Sequence, residues 1–430
     1  MRRALCPVET LYVGQRSRAV LSCTLRGRVD TGALSSAIDA VTDAHPSLRA
    51  RIVPDGGGFA LQLLEDAERT RLATRTGTAE EAHRVELNTP LPVGGPLSRA
   101  VLVSEPEGDG HLFVLSVDHT VVDGHSGIAL LNEIWDRYRE LVEGGQRPVG
   151  GDGAAAWPVP ISELLPPTDP ARTAAYLDRR TEEALRHPAE LVAYDVTDPS
   201  AAEGRIEVCR LTLDEERTGR LRRAARAAGV SVHALVAAAL LTTARGRLPG
   251  DGPRTLGCLS PVDLRSRLSP PVPALVMVPA VTAHLQSLEV SPDSDPLKLA
   301  RTVHARLGAF VAGDGPAQEM RIMPEIPRNP VLQLATVIAT NMGAVPGPRL
   351  PAGLEVTDVR LMPAREQYFP AAGRSPVMAC VVSFEGRLAI EFPYFTACYS
   401  PTFVRSFRDG AGAALAAFTD AAEPVPAPSG

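Results

Sequence analysis

Asp118-His119-Thr120-Val121-Val122-Asp123-Gly124 sets a histidine straight after an apolar run and follows it with an acid and a glycine. Before it, Leu112-Phe113-Val114-Leu115-Ser116-Val117 is aliphatic and β-favouring, which predicts a largely buried strand with His119 at its end. After it, Ile128, Leu131, Trp135, Tyr138 and Val142 recur every three to four residues and predict an amphipathic helix. The heptapeptide is therefore a strand-to-helix turn between rigid elements, which suits a group that must be held still. A histidine there has the two properties of a general base, a pKa near working pH and a fixed ring, and such a base contributes roughly 10²–10⁴-fold in rate. Asp123 reads first as a brace, turned toward its own loop or toward a cation from elsewhere. Gly124 permits φ > 0 or close backbone approach. The plainer reading of the same residues is a surface turn with Asp123 near a helix N-cap.

Two neighbours compete for the chemistry. His125 is the nearest alternative base, but a helix starting at Gly124 would point it elsewhere. Gly124-His125-Ser126-Gly127-Ile128 resembles a nucleophile elbow whose closing glycine is replaced by Ile128, so Ser126 is not expected to be a nucleophile.

The 430 residues carry a net charge of -6, with no strongly basic run and few aromatics, which argues against nucleic-acid binding. Lys298 is the only lysine, so nearly all positive charge is arginine. No run of about 18 apolar residues exists, and Arg2 and Arg3 are not followed by the apolar stretch of a signal peptide, so the expected compartment is the cytoplasm, with no membrane span. The cysteines at 6, 23, 209, 258, 380 and 398 form no CxxC pair and read as buried thiols. HExxH, Walker and GxGxxG patterns are absent, so neither a metal nor a bound cofactor is expected.

Along the chain, Asp30 caps a predicted helix over 31–44 that ends before Pro46, and His45 is expected to serve that helix end electrostatically. Gly, Ala and Pro dominate between Glu143 and Pro170, including Gly150-Gly151-Asp152-Gly153. The expected organisation is thus an N-terminal subdomain over 1–150, a linker over 151–170 and a C-terminal subdomain over 171–430. Helices are expected at 171–186 and, capped by Ser231, at 232–245; His233 on the latter reads as structural. Strands are expected at 206–213, 255–260, 332–339 and 355–361, with a hairpin of 377–384 and 387–394 turning at Glu385-Gly386. Pro401 opens a last helix, and the residues from Glu423 read as frayed. The mixture of elements in both halves gives an α/β fold of the two-layer kind.

Asp118 to Gly124 resembles the HHxxxDG motif of chloramphenicol acetyltransferases, condensation domains of nonribosomal peptide synthetases and polyketide-associated acyltransferases. Three further stretches resemble the last group, which includes the phthiocerol dimycocerosyl transferases: His45-Pro46-Ser47-Leu48-Arg49-Ala50-Arg51, Ser260-Pro261-Val262-Asp263-Leu264-Arg265 and Thr340-Asn341-Met342-Gly343. They fall in the order that family requires, and the resemblance spans roughly residues 5 to 415. Here the first motif histidine is Asp118, while the second, catalytic one survives as His119.

The resemblance implies two chloramphenicol acetyltransferase-like subdomains forming a pseudo-dimer with a tunnel between them, one active site, and a monomer. It also implies an acyl thioester donor, carried by coenzyme A or an acyl carrier protein, and a hydroxyl acceptor on a polyketide, lipid or other secondary metabolite. His119 would take the acceptor's proton, without an acyl-enzyme. Arg265 would brace Asp123, Asp118 would cap or brace the loop, and backbone N–H groups near Gly124 or the Asn341 side chain would hold the oxyanion. A free-standing amide-forming condensation enzyme and a non-catalytic carrier- or metabolite-binding module are the alternatives.

Overall fold

The computed structural model describes residues 2–144, 156–198, 204–368 and 372–420. Most of the expected linker's glycine-rich part, including Gly150 to Gly153, and the tail from Glu423 lie outside the described residues. The first elements are β1 (Arg2–Ala4), α1 (Pro7–Gln15), β2 (Ser17–Gly27), α2 (Thr31–Ala44), β3 (Ala50–Asp55), β4 (Gly58–Leu63), β5 (Leu72–Thr76), α3 (Ala79–Asn88), β6 (Ser98–Ser104), β7 (Gly110–Asp118) and α4 (Gly124–Val142). Next come α5 (Ile161–Leu164), α6 (Pro170–Arg186), β8 (Val192–Ala193), β9 (Ile206–Leu213), α7 (Glu215–Ala228), α8 (Val232–Arg245), β10 (Arg254–Asp263) and β11 (Val281–Val290). The chain continues through α9 (Pro296–Ala312), α10 (Gly315–Ile322), β12 (Val337–Ala344), β13 (Leu354–Arg365), β14 (Arg374–Ser375), β15 (Val377–Phe384), β16 (Arg387–Phe395) and α11 (Pro401–Asp420).

These elements form two compact units of mixed α/β structure. The first comprises Met1–Pro166, Leu264–Val281 and Val345–Tyr368; the second holds the rest. A single boundary near 151–170 had been expected, and the observed division departs from it because two later segments return to the first unit. One carries β13, which pairs antiparallel with β2 from Leu354↔Gly27 to Arg365↔Ser17. The other carries Arg265, whose partner is Asp123. Both attachments are long-range, so local composition carries no trace of them.

In the first unit the sheet order is β13-β2-β7-β6-β5, which makes β7 the central strand. Central position explains its continuous apolar run: Leu112 to Val117 are buried on both faces. Side chains alternate along β2, so Leu21 meets α4 at Gly127 on one face while Arg18, on the other, reaches the Leu87 carbonyl in α3 at 2.6 Å. A Cβ on Gly127 would lie 3.1 Å from the Leu21 side chain, so glycine sets how closely α4 sits on the sheet. The stripe of α4 buries Ile128, Leu131, Trp135 and Tyr138, whereas Val142, expected on the same face, is 44% exposed in the last turn. The Asp30 cap is present, its Oδ1 accepting from the Ala33 N–H at 2.9 Å, and α2 stops at Ala44 because His45, before Pro46, is extended.

The second unit is built on a six-stranded sheet of order β11-β10-β12-β15-β16-β9. Helix α8 lies at the centre of its core, with Leu235 to Leu241 all buried, as its uniform apolarity predicts. The Glu385-Gly386 hairpin has positive φ at both positions, 45° and 79°, as a tight turn of this kind needs. The strand expected from Leu332 begins instead at Val337, because Pro330–Gln333 forms a turn of 3₁₀ helix. All six cysteines are buried free thiols. Among the described residues no single helix is long and apolar enough to cross a membrane.

Candidate active site

His119 follows the last residue of β7, and its backbone N–H donates to the Ser17 carbonyl at 2.9 Å, which ties the position to β2. The Tyr12 ring from α1 stacks on the imidazole with centroids 4.4 Å apart and planes 1° from parallel. The His119 Nδ1 is buried without a hydrogen-bond partner of ordinary geometry. Burial pulls the imidazole pKa below its usual value, while backbone acceptors at His119 and Val122 and the Asp123 carboxylate pull it partly back. The ring is consequently neutral at neutral pH, the form a general base requires. Burial, helped by the Asp123 charge, pushes the Tyr12 phenol upward, so Tyr12 stays uncharged against the ring.

Asp123 is both the helix cap and the brace that the sequence left as alternatives. Its Oδ1 accepts from the Ser126 N–H at 2.8 Å and the Ser126 hydroxyl at 3.0 Å, starting α4. Its Oδ2 accepts from Arg265 Nη2 at 2.8 Å, Arg265 Nε at 3.2 Å and the Ala280 N–H at 2.8 Å. Arg265 completes its set with the carbonyls of Pro273, Val276 and Val278. Asp123 and Arg265 are only 1% and 4% exposed, so this is a desolvated, fully bonded ion pair.

Gly124 corrects one expectation: it is the first residue of α4 and has no positive φ. The helical start itself dictates this, since Asp123 already supplies the extended cap. Asp118 accepts from the Thr120 N–H through Oδ1 at 2.9 Å, and burial raises its pKa. Ser126 is wholly buried with its hydroxyl committed to Asp123, as the broken elbow pattern suggested. His125 is exposed on α4. His45 does not simply face a helix end: its Nε2 lies 2.7 Å from Glu133 Oε2 on α4. His233 is bonded to the Ser260 hydroxyl at 2.9 Å, the structural role expected of it.

Asn341 belongs to the second unit, on β12, where its Oδ1 accepts from the Gly343 N–H at 2.8 Å beside an irregularity in the pairing with β15. Among the sequence-singled residues, His119, Asp118, Asp123, Gly124 and Arg265 thus share the first unit and Asn341 does not. Tyr12 and Arg365, whose charge also lowers the His119 pKa, were not anticipated. Arg365 reaches this region through the long-range pairing of β13, and Tyr12 sits in a short helix whose apolar pattern is weak. Among the described residues no group of three or more His, Cys, Asp or Glu could hold a metal ion.

Comparison with known proteins finds relatives along most of the chain. Residues 17–243 fit the condensation-domain family, and residues 202–393 fit the C-terminal family of phthiocerol/phthiodiolone dimycocerosyl transferases. The chain is 26% identical to the phthiocerol/phthiodiolone dimycocerosyl transferase of Mycobacterium bovis (strain BCG / Pasteur 1173P2), over 90% of this chain and 91% of that one. Its fold is similar to that of polyketide synthase associated protein 5 from Mycobacterium tuberculosis, with a TM-score of 0.72 and 22% identity over 97% of this chain and 98% of that chain. A trichothecene 15-O-acetyltransferase from Fusarium sporotrichioides matches with a TM-score of 0.75 and 13% identity, over 97% and 95%. With a family match over more than half its length, the chain belongs to the condensation-domain family and is an acyltransferase enzyme.

Proposed function

We propose that the protein is an O-acyltransferase that moves an acyl group from a thioester to the hydroxyl of a polyketide, lipid or other secondary metabolite, with His119 as general base. The observation that carries this reading is the stacked imidazole, kept neutral by burial, on a turn clamped by the Asp123–Arg265 pair. The acceptor O–H bond breaks as its oxygen attacks the thioester carbonyl, and the proton goes to His119. Collapse of the tetrahedral intermediate expels the thiolate, which takes the proton back from the imidazolium. No covalent enzyme intermediate is needed, because holding both substrates together supplies much of the rate.

The donor is an acyl group on coenzyme A or on the phosphopantetheine of a carrier protein, and the enzyme works in the cytoplasm as a monomer without a bound cofactor. The developing oxyanion is met by N–H groups at the start of α4.

The test is thiol release from a panel of acyl-coenzyme A and acyl-carrier thioesters, with and without alcohols and amines, for wild type and a folded His119→Ala. Release that depends on an alcohol and disappears in the variant supports the reading. Release that depends only on amines would make the enzyme amide-forming, in line with the condensation-domain match. No release from any donor, or equal release in the variant, sinks the His119 mechanism and leaves a binding module.

A further inference from the structure

His119 lacks the support that fixes the base of a hydrogen-bonded triad, where a carboxylate accepts from the imidazole Nδ1 and sets the ring's direction. The motif's own carboxylate is fully used elsewhere: Asp123 Oδ1 serves Ser126, and Oδ2 serves Arg265 and the Ala280 N–H. Asp118 spends Oδ1 on the Thr120 N–H. The His119 Nδ1 is enclosed with no side-chain partner, and the backbone acceptors near it fall outside ordinary hydrogen-bond geometry. The backbone is tied through the His119 N–H, but the ring torsion of a histidine is broad, so this tie leaves the ring plane undetermined.

What meets the ring is Tyr12. Its ring centroid lies 4.4 Å from that of the imidazole, and the planes are 1° from parallel, so one imidazole face is covered. Contact between two aromatic planes opposes the rotation of either. Tyr12 is itself only 9% exposed, and its helix is anchored three residues earlier. There the buried Glu9 accepts from Arg3 Nη2 at 2.9 Å, Arg3 Nη1 at 3.0 Å and the Cys6 N–H at 2.9 Å. Residues three apart share a helix face, and α1 buries Val8, Glu9 and Tyr12. Arg3 is held in turn by the pairing of β1 with β4. A chain of fixed contacts therefore runs from β4 through Arg3 and Glu9 to the Tyr12 ring.

Resting on the reading of His119 as general base, we propose that Tyr12 is a positioning residue of this active site: the face of its ring, and not its hydroxyl, holds the imidazole plane for proton transfer. The N-terminal segment from β1 through α1 then belongs to the machinery, although it lies far from the motif in sequence.

The test reads the ring directly and turnover separately. Nitrogen NMR spectra of the full chain carrying labelled histidine give the tautomer and titration of His119, assigned by its absence in His119→Ala. Wild type should show one neutral tautomer that titrates below 6.5. Tyr12→Leu uncovers an imidazole face and leaves in place the charged groups that face it, Asp123 at the start of α4 and Arg365 on β13. Its titration should move up toward 6.5 and its two neutral tautomers should mix. With acetyl-coenzyme A and butan-1-ol, its kcat should fall by roughly tenfold with KM unchanged. Tyr12→Phe keeps the ring and should restore tautomer, titration and kcat together. An unchanged His119 spectrum in a folded Tyr12→Leu, or a Tyr12→Phe as impaired as Tyr12→Leu, overturns the proposal. Should Tyr12→Leu not fold, Tyr12→Met carries the same readings. Absence of thiol release in wild type counts against the acyl-transfer reading instead, and the spectra still decide whether Tyr12 holds the ring.

Discussion

Replacing Asp123 by alanine should destabilise the first unit by more than any other single change at the site. The carboxylate is 1% exposed and accepts three hydrogen bonds through Oδ2, two of them from Arg265. Its loss leaves a guanidinium, itself 4% exposed, without its counter-charge, which costs about 3–5 kcal/mol. Loss of the cap that Oδ1 makes to the Ser126 N–H adds about 1 kcal/mol. Both tryptophans, Trp135 and Trp157, lie in the first unit, so indole emission during urea unfolding reports on that unit alone. With a slope of roughly 1–3 kcal/mol per molar urea, a loss of about 4 kcal/mol moves the midpoint down by roughly 1 M or more. Asp123→Asn keeps the shape and part of the bonding and should lose less. The double variant Asp123→Ala with Arg265→Met removes both charges and should recover part of the loss. A shift in Asp123→Ala smaller than about 1 kcal/mol would refute the claim that this pair is desolvated and clamps the turn.

His119→Ala should keep the fold and lower kcat by roughly 10²–10⁴-fold, read by acceptor-dependent thiol release. Because burial lowers the imidazole pKa, the neutral base persists as pH falls, so the acid limb of kcat/KM should lie below 6.5; a limb above that value contradicts the burial argument. Ser126→Ala should cost about 1 kcal/mol of stability in urea yet retain turnover and show no burst of bound acyl group, whereas a burst lost in the variant would make Ser126 a nucleophile. Burial lowers the His233 pKa from 6.5 to about 4, so between those values the unfolded chain binds a proton that the folded one does not. Stability should therefore fall as pH drops from 6.5 to about 4 and level off below, and a folded His233→Asn should flatten that slope in circular dichroism melts.

Much of the local structure was legible because its causes are local. The cap at Asp30, the stop before Pro46, the uniform apolarity of α8 and the Glu385-Gly386 turn each act within a few residues of themselves. The motif could likewise place His119 at a strand end and Asp123 at a helix start, since both depend on neighbours in sequence. Even there, one residue type served two readings: Asp123 turned out to use one oxygen as a cap and the other as a counter-ion.

The tertiary structure decided what covers those residues. Tyr12 stacks on His119 from more than a hundred residues away, and Arg265 and Ala280 close on Asp123 from further still. No periodicity or composition records such contacts, because they are set by where strands pair and helices seat. The same is true of the division into units, which depends on β13 lying along β2. By itself the sequence determined which residue types stand at the turn and which backbone they follow. Burial, which lowers the His119 pKa and desolvates the Asp123–Arg265 pair, arises only when distant segments exclude water together.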